Sequence, residues 1–262
     1  MQTEKVATHI TNWLKNYAKT SKVNGFVIGI SGGIDSAVTS ALCAKTGLDT
    51  LCVEMPIHQD SKQVSRAKTH IEQLKNQFPN VSDVCIELTK SFDSLQNTLP
   101  ISDNIQKYNL SLANTRARLR MTTLYYLAGI HGYLVVGTGN KIEDFGVGFF
   151  TKYGDGGVDI SPIADLLKSE VYALGKILNV SESIINAAPT DGLFGDSRTD
   201  EDQLGASYNE LEWAMNAYLQ NKTPNDFDGR KAEVLNIYTR LHHANLHKIN
   251  PIPVCKIPQE FK

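Results

Sequence analysis

The chain has 262 residues, 41% of them hydrophobic and 21% charged, which is enough for one large domain with a substantial core. A formal net charge of -2 supplies no basic field for nucleic acid, and no stretch is continuous and apolar enough for a signal peptide or a bilayer span. A soluble, cytoplasmic protein with no nucleic-acid or membrane partner is expected. The four cysteines, Cys43, Cys52, Cys85 and Cys255, are scattered without a CxxC pair. Cys43 and Cys52 sit in apolar stretches and read as buried free thiols.

An amphipathic first helix places Val6, Ile10, Leu14 and Tyr17 at helical spacing. "GFVIGI" (25–30) reads as a buried strand, and "SAVTSALCAKTG" (36–47) as a helix stopped by Gly47. "DTLCVEMPI" (49–57) is a second strand, "SKQVSRAKTHIEQLKNQF" (61–78) a second helix and "VSDVCIELT" (81–89) a third strand. A long helix over about 110–130 carries Ala117, Met121, Leu124 and Ala128 as one apolar stripe, and "YLVVGTGN" (133–140) is a fourth strand. Strands alternating with helices, read as apolar on both faces, predict an α/β fold: a parallel sheet covered by helices on both sides, in three layers. Chemistry clusters just beyond the strand ends, at Ser31–Ser36, Pro56–Asp60 and Thr138–Asp144, where such folds bind ligands.

"GISGGIDSAV" (29–38) admits two readings. Gly29-Ile30-Ser31-Gly32-Gly33 fits the G-x-S-x-G elbow of a hydrolase nucleophile. That elbow follows several strands, and here only one helix and one strand precede Ser31. Its triad partners would come from Asp191 or Asp196 and from His242, His243 or His247, residues common enough to occur by chance. Alternatively, Gly32 and Gly33 let the backbone approach a phosphate, the helix start beyond them stabilises an anion, and Ser31 and Ser36 add hydroxyls. Asp35 would repel a bare phosphate, which points to a bridging Mg2+; as a bland alternative it is a helix-start acid favoured by the dipole. The Lys of a G-x-x-x-x-G-K-[ST] loop is absent.

"SGGIDS" resembles the pyrophosphate loop of the ATP pyrophosphatases. "NTRARLRM" (114–121), "GTGNKIED" (137–144), "FFTKYGDGGVDISPIADLLK" (149–168), "PTDGLFGDSRTDEDQLG" (189–205) and "LHKINPIP" (246–253) narrow the resemblance to the NAD synthetase family over nearly the full length. It implies a Rossmann-like ligase that makes NAD, AMP and pyrophosphate from deamido-NAD, ATP and ammonia through an adenylated intermediate, as a homodimer with Mg2+. By the same resemblance, Gly29, Ile30, Ser31, Gly32, Gly33, Ile34, Asp35, Ser36, Thr138, Lys168 and Thr190 bind ATP. Arg118, Lys152, Asp159, His247 and Lys248 contact deamido-NAD, and Asp35 and Lys168 serve catalysis. Asp35 and Glu143 hold the metal, but one extra residue stands between Glu143 and Phe149, which leaves Asp144 a rival for that role. Read alone, Arg118 belongs to a solvated basic helix face, and Lys168 to a helix start where a lysine usually faces solvent.

Within the superfamily, the alternatives are a GMP synthetase-like or tRNA-thiolating enzyme, disfavoured by mild acidity and the lack of a catalytic cysteine pair. A nucleotide-binding regulator that has lost catalysis is disfavoured by the presence of Asp35, Glu143 and Lys168. A single synthetase domain over 1–262 is expected, with no glutamine amidase ahead of a loop that begins at Ser31. The Gly- and Asp-rich stretch 189–202 is expected to be a lid.

Overall fold

The computed structural model describes residues 1–59, 61–190 and 199–262. The predicted lid falls largely on 191–198, outside the described residues. After α1 (Thr3–Ser21), the chain runs through β1 (Gly25–Gly29), α2 (Ile34–Ala44), β2 (Asp49–Glu54), α3 (Ser61–Gln77) and β3 (Val81–Cys85). It continues with α4 (Thr89–Thr98), α5 (Ile105–His131) and β4 (Tyr133–Val135). All pairings are parallel, in the order β3-β2-β1-β4. A π-turn (Lys141–Val147) and α6 (Lys168–Ile177), α7 (Glu182–Ile185), α8 (Asp200–Leu204), α9 (Tyr208–Leu219) and α10 (Gly229–Ile249) follow.

Alternation along β1 feeds both layers. Phe26 and Ile28 pack with α1, α2, α3 and α6, while Val27 packs with Leu51, Val53, Leu112 and Leu127 beneath α4 and α5. The three-layer parallel sheet predicted from the element order is present. Helix α2 is buried from Ile34 to Ala44 except for Asp35, which is partly exposed, so the segment that follows the Gly–Ser loop is clamped between sheet and neighbouring helices. Cys43 and Cys52 are buried free thiols as expected, and Cys85 and Cys255 are exposed and free.

Two strand expectations are corrected. β3 is an edge strand that exposes Ser82, Asp83 and Cys85 rather than burying both faces. β4 stops at Val135, because Asp159 takes the Val135 N–H at 2.8 Å and Val136 then bridges to Ile160. A separate buried cluster joins the π-turn to α8, α9 and α10 through Ile142, Val147, Leu211, Leu235 and Tyr238. No helix among the described residues is long and apolar enough to cross a membrane.

The chain builds β2 and β3 on one side of β1, then returns to place β4 on the other side. The carboxyl ends of β1 and β4 therefore face a crevice at a topological switch point. The loops after β1, β2 and β4 all line it.

Candidate active site

The loop after β1 is shaped by its glycines. Gly32 has φ +80, and a Cβ there would lie 2.6 Å from the Gln63 carbonyl oxygen, so only glycine fits without strain. Arg66 of α3 donates to the Gly32 carbonyl at 3.2 Å and pins the loop. The Ser31 hydroxyl accepts from Gly33 N at 3.2 Å and lies 3.1 Å from the Ser36 hydroxyl. Ser36 in turn donates to the Gly33 carbonyl at 3.1 Å.

The histidines of the hydrolase reading are engaged elsewhere. His242 bonds the Gly146 carbonyl, His243 the Tyr218 hydroxyl and His247 the Ala244 carbonyl. Ser31 is built into a cradle and has no base beside it among the described residues.

α2 begins at Ile34, two residues before the sequence boundary, so Asp35 lies in its first turn. Its Oδ2 accepts from Lys168 Nζ at 2.6 Å and its Oδ1 from Asn140 Nδ2 at 3.1 Å. Lys168 opens α6 and, at 2% exposure, is buried rather than solvent-facing. Its ammonium also donates to Glu143 Oε1 at 2.9 Å. One lysine therefore bridges two acids that lie 133 and 25 residues away in sequence.

Burial alone would discharge Lys168, yet Asp35 and Glu143 outweigh it and raise the ammonium above its ordinary range. Burial raises Asp35 against the pull of Lys168, with Glu143 adding like-charge repulsion. For Glu143, burial is outweighed by Lys168 and the Tyr208 hydroxyl, and the carboxylate stays ionised.

Asn140 is fully buried and carries two tasks. Its Oδ1 caps the π-turn by accepting from Ile142 N and Glu143 N, both at 3.1 Å, while its amide nitrogen holds Asp35. Glu143 and Asp144 both line the crevice. Glu143 alone reaches Lys168; Asp144 packs against Gly139. Burial, followed by the charges of Asp155, Glu143 and Asp35, pushes the Asp144 carboxyl well up.

The crevice is a cavity of about 290 Å³ that collects Gly29 through Ser36, Thr138, Lys168 and Thr190, together with Glu143. Those are the residues expected at ATP and metal. Arg118, Lys152, Asp159, His247 and Lys248 do not line it. Four of them gather outside, where α5, the loop after Phe149 and the end of α10 meet. Arg118 donates through Nε and Nη2 to the Lys152 carbonyl at 3.3 Å, the Lys152 ammonium donates to the His247 carbonyl, and Lys248 donates to the Phe150 carbonyl at 2.7 Å. Asp159 stands apart, accepting from Tyr125 at 3.0 Å besides the Val135 N–H.

Sequence reasoning passed over Asn140, Tyr208 and the role of Arg120. Arg120 lines the crevice and donates to the Met55 carbonyl at 3.1 Å and to Gln59 Oε1 at 2.8 Å. An Asn just before an acidic first turn is a capping signal that could have flagged Asn140. Nothing local distinguishes Tyr208.

A Gly–Ser cradle at the switch point of a parallel sheet, with an acid in the first turn of the helix it opens, defines a nucleotide-phosphate-binding α/β protein. The family model described as NAD synthase matches residues 6–251. The chain is 42% identical over 208 residues to the NH(3)-dependent NAD(+) synthetase of Mycoplasma genitalium, covering 79% of this chain and 81% of that one. It is 38% identical to the Mesoplasma florum protein of the same name, over 100% of this chain and 99% of the other. The solved structure of NMN synthetase from Francisella tularensis superposes with a TM-score of 0.83 at 32% identity, over 99% of both chains. The chain belongs to the NAD synthase family.

Proposed function

We propose that the protein is an ammonia-dependent ligase that converts deamido-NAD, ATP and ammonia to NAD, AMP and pyrophosphate. The observation that carries this is the Asp35–Lys168–Glu143 cluster set against the Ser31–Ser36 cradle. The names of the Mycoplasma and Mesoplasma relatives support the nitrogen source.

In this reading, the substrate carboxylate attacks the α-phosphate of ATP, and the bond to the pyrophosphate oxygen breaks. The leaving pyrophosphate is received by the backbone N–H groups and hydroxyls of the cradle. Ammonia then adds to the acyl adenylate carbonyl and expels AMP. The chain supplies no nucleophile; it aligns the substrates and neutralises charge.

Asp35 and Glu143 are hard oxygen donors already sharing a cation, so they fit a divalent ion held by one or two carboxylates plus phosphate oxygens. Among the described residues, no group of three or more His, Cys, Asp or Glu forms a cage of its own, which agrees with an ion brought in with the nucleotide. Mg2+ bound there would neutralise triphosphate charge. Lys168 is placed to transfer its ammonium from the acids to the phosphates, and Thr138 and Thr190 line the same cavity. The cluster of Arg118, Lys152, His247 and Lys248 is our proposed contact surface for the acid substrate, outside the ATP cavity, and Asp159, which stands apart from it on Tyr125 and Val135, is proposed to reach the same substrate.

The reading extends to a single synthetase unit over 1–262 that works in the cytoplasm as a homodimer. Tyr126 and Ile130, one turn apart on α5 and 68% and 60% exposed, support a covered face.

The name of the Francisella structure favours a second reading, in which the acid is a mononucleotide. Both share the carboxylate chemistry. Pyrophosphate release from ATP, measured with deamido-NAD, nicotinate mononucleotide, GMP precursor and tRNA, tests the assignment. The highest kcat/KM is expected for deamido-NAD, and a preference for any other acceptor overturns it.

A further inference from the structure

Tyr208 lies outside every motif that the sequence singles out, yet it touches the centre of the acid cluster. It is the first residue of α9 and is 6% exposed. Glu201 accepts its backbone N–H at 2.8 Å, and Ser207 immediately before it caps the helix, so its position is set from both sides. The hydroxyl donates to Glu143 Oε1 at 2.5 Å and stands 3.3 Å from Asp200 Oδ2. The ring lies beneath the Lys168 ammonium, 4.7 Å from its centroid. Burial, then the charges of Glu143 and Asp200, keep the phenol protonated.

Glu143 Oε1 therefore accepts from two donors, Lys168 and Tyr208. The two differ in what holds them. The ammonium is a point charge on a flexible stem, and a triphosphate in the cavity competes for it. The phenol is neutral, is fixed by the packing of α9 and has little attraction to phosphate. When Lys168 serves the nucleotide, Tyr208 is the donor left on Glu143.

We propose that Tyr208 is a positioning residue that fixes the Glu143 carboxylate toward the cation site once Lys168 turns to the triphosphate. This rests on Glu143 being a cation ligand, as read above. It also gives the C-terminal helical cluster a function in the site, because Tyr208 reaches Glu143 from the first turn of α9, which that cluster buries.

Tyr208→Phe keeps the ring, its packing and the ammonium contact, and removes only the hydroxyl. Mn2+ is titrated into the protein with ATP and no acid substrate, with free Mn2+ read by electron paramagnetic resonance. The dissociation constant is expected to weaken about tenfold, as for loss of an outer partner of a metal ligand. ATP affinity in EDTA is expected to be unchanged. In a Glu143→Gln background the hydroxyl should no longer matter. Wild-type Mn2+ affinity in Tyr208→Phe, or an equal loss in both backgrounds, overturns the proposal. If Glu143→Gln alone leaves Mn2+ affinity intact, the assignment of Glu143 as cation ligand fails, and the proposal fails with it.

Discussion

His70 of α3 is 2% exposed and faces α2, the helix that carries the phosphate cradle. Its Nε2 lies 2.9 Å from the Ser40 hydroxyl, which donates to the Ser36 carbonyl at 2.8 Å. Ser40 has one proton to give, so Nε2–H is the donor to Ser40 and Nδ1 is left as the bare nitrogen. Nδ1 has no partner among the described residues. A second proton would sit there buried and unbonded. Burial accordingly lowers the imidazole from 6.5 to about 4.

The unfolded chain takes a proton near pH 6.5 that the folded chain refuses until about pH 4. This contribution is complete above 6.5 and is lost as pH falls, at about 1.4 kcal/mol per unit. Between pH 7.5 and 5.0 the loss is about 2 kcal/mol, and by pH 4 about 3 kcal/mol. Asp35, Asp144 and Asp155 are raised and act with the opposite sign, so the comparison must be a difference. His70→Gln places a neutral amide where Nε2–H stands. Urea unfolding of both proteins at pH 7.5 and 5.0 should show the wild-type advantage shrinking by about 2 kcal/mol. A difference that does not move with pH would refute the buried, neutral imidazole.

Asp35→Asn should slow pyrophosphate release by roughly a hundredfold or more and weaken its Mg2+ dependence, while a fluorophosphonate should leave Ser31 unlabelled by intact-mass measurement. Gly32→Ala forces a left-handed backbone at about 1–2 kcal/mol and drives a Cβ toward the Gln63 carbonyl; ATP binding by calorimetry should be lost, and retained affinity would contradict the cradle. Glu143→Gln should weaken Mn2+ binding far more than Asp144→Asn, because Glu143, unlike Asp144, shares the Lys168 ammonium with Asp35. With total ammonium fixed, free NH3 rises about tenfold per pH unit near neutrality, so the apparent KM for ammonium should fall steeply from about pH 7 to 8.5, and purified glutamine should give no NAD.

How much could be read beforehand depends on range along the chain. "GFVIGISGGIDS" announces β1, the cradle and α2 because an apolar run, two glycines and a helix-start acid are all local signals. α4 was missed because its apolar stripe is thin: "TKSFDSLQNT" carries only Phe92 and Leu95 as apolar residues and buries only Phe92. β3 was misread although the consecutive polar pair Ser82 and Asp83 interrupts its apolar residues, because the position of a strand in its sheet is a tertiary fact. The acid cluster is less local still. Lys168 by itself looks like any helix-start lysine, and only the fold carries it to Asp35, 133 residues away. Asp159 shows the converse: a residue expected at the substrate spends its carboxylate on Tyr125 and on the end of β4.

The extra residue that the family resemblance implies between Glu143 and Phe149 leaves two acids as rivals for the metal. In an α-helix each added residue turns the chain by about 100°, so an insertion between Glu143 and Phe149 would swing one of them away from its partners. From Lys141 to Val147 the chain forms a π-turn, opened by the Asn140 cap and closed by Gly148 at φ +65, a geometry with room for one residue more than an α-turn. Single π-turns are rare and concentrate at functional sites. This one leaves Glu143 on Lys168 and Tyr208 while Phe149 stays packed on the C-terminal cluster. The two adjacent acids, Glu143 and its rival Asp144, are separated by orientation: Glu143 toward the shared ammonium, Asp144 toward Gly139 and the charge of Asp155. The same cap that starts the π-turn also holds Asp35 through its amide. The spacing of the two proposed metal acids is thus fixed by one buried side chain, Asn140, rather than by the length of the loop between them.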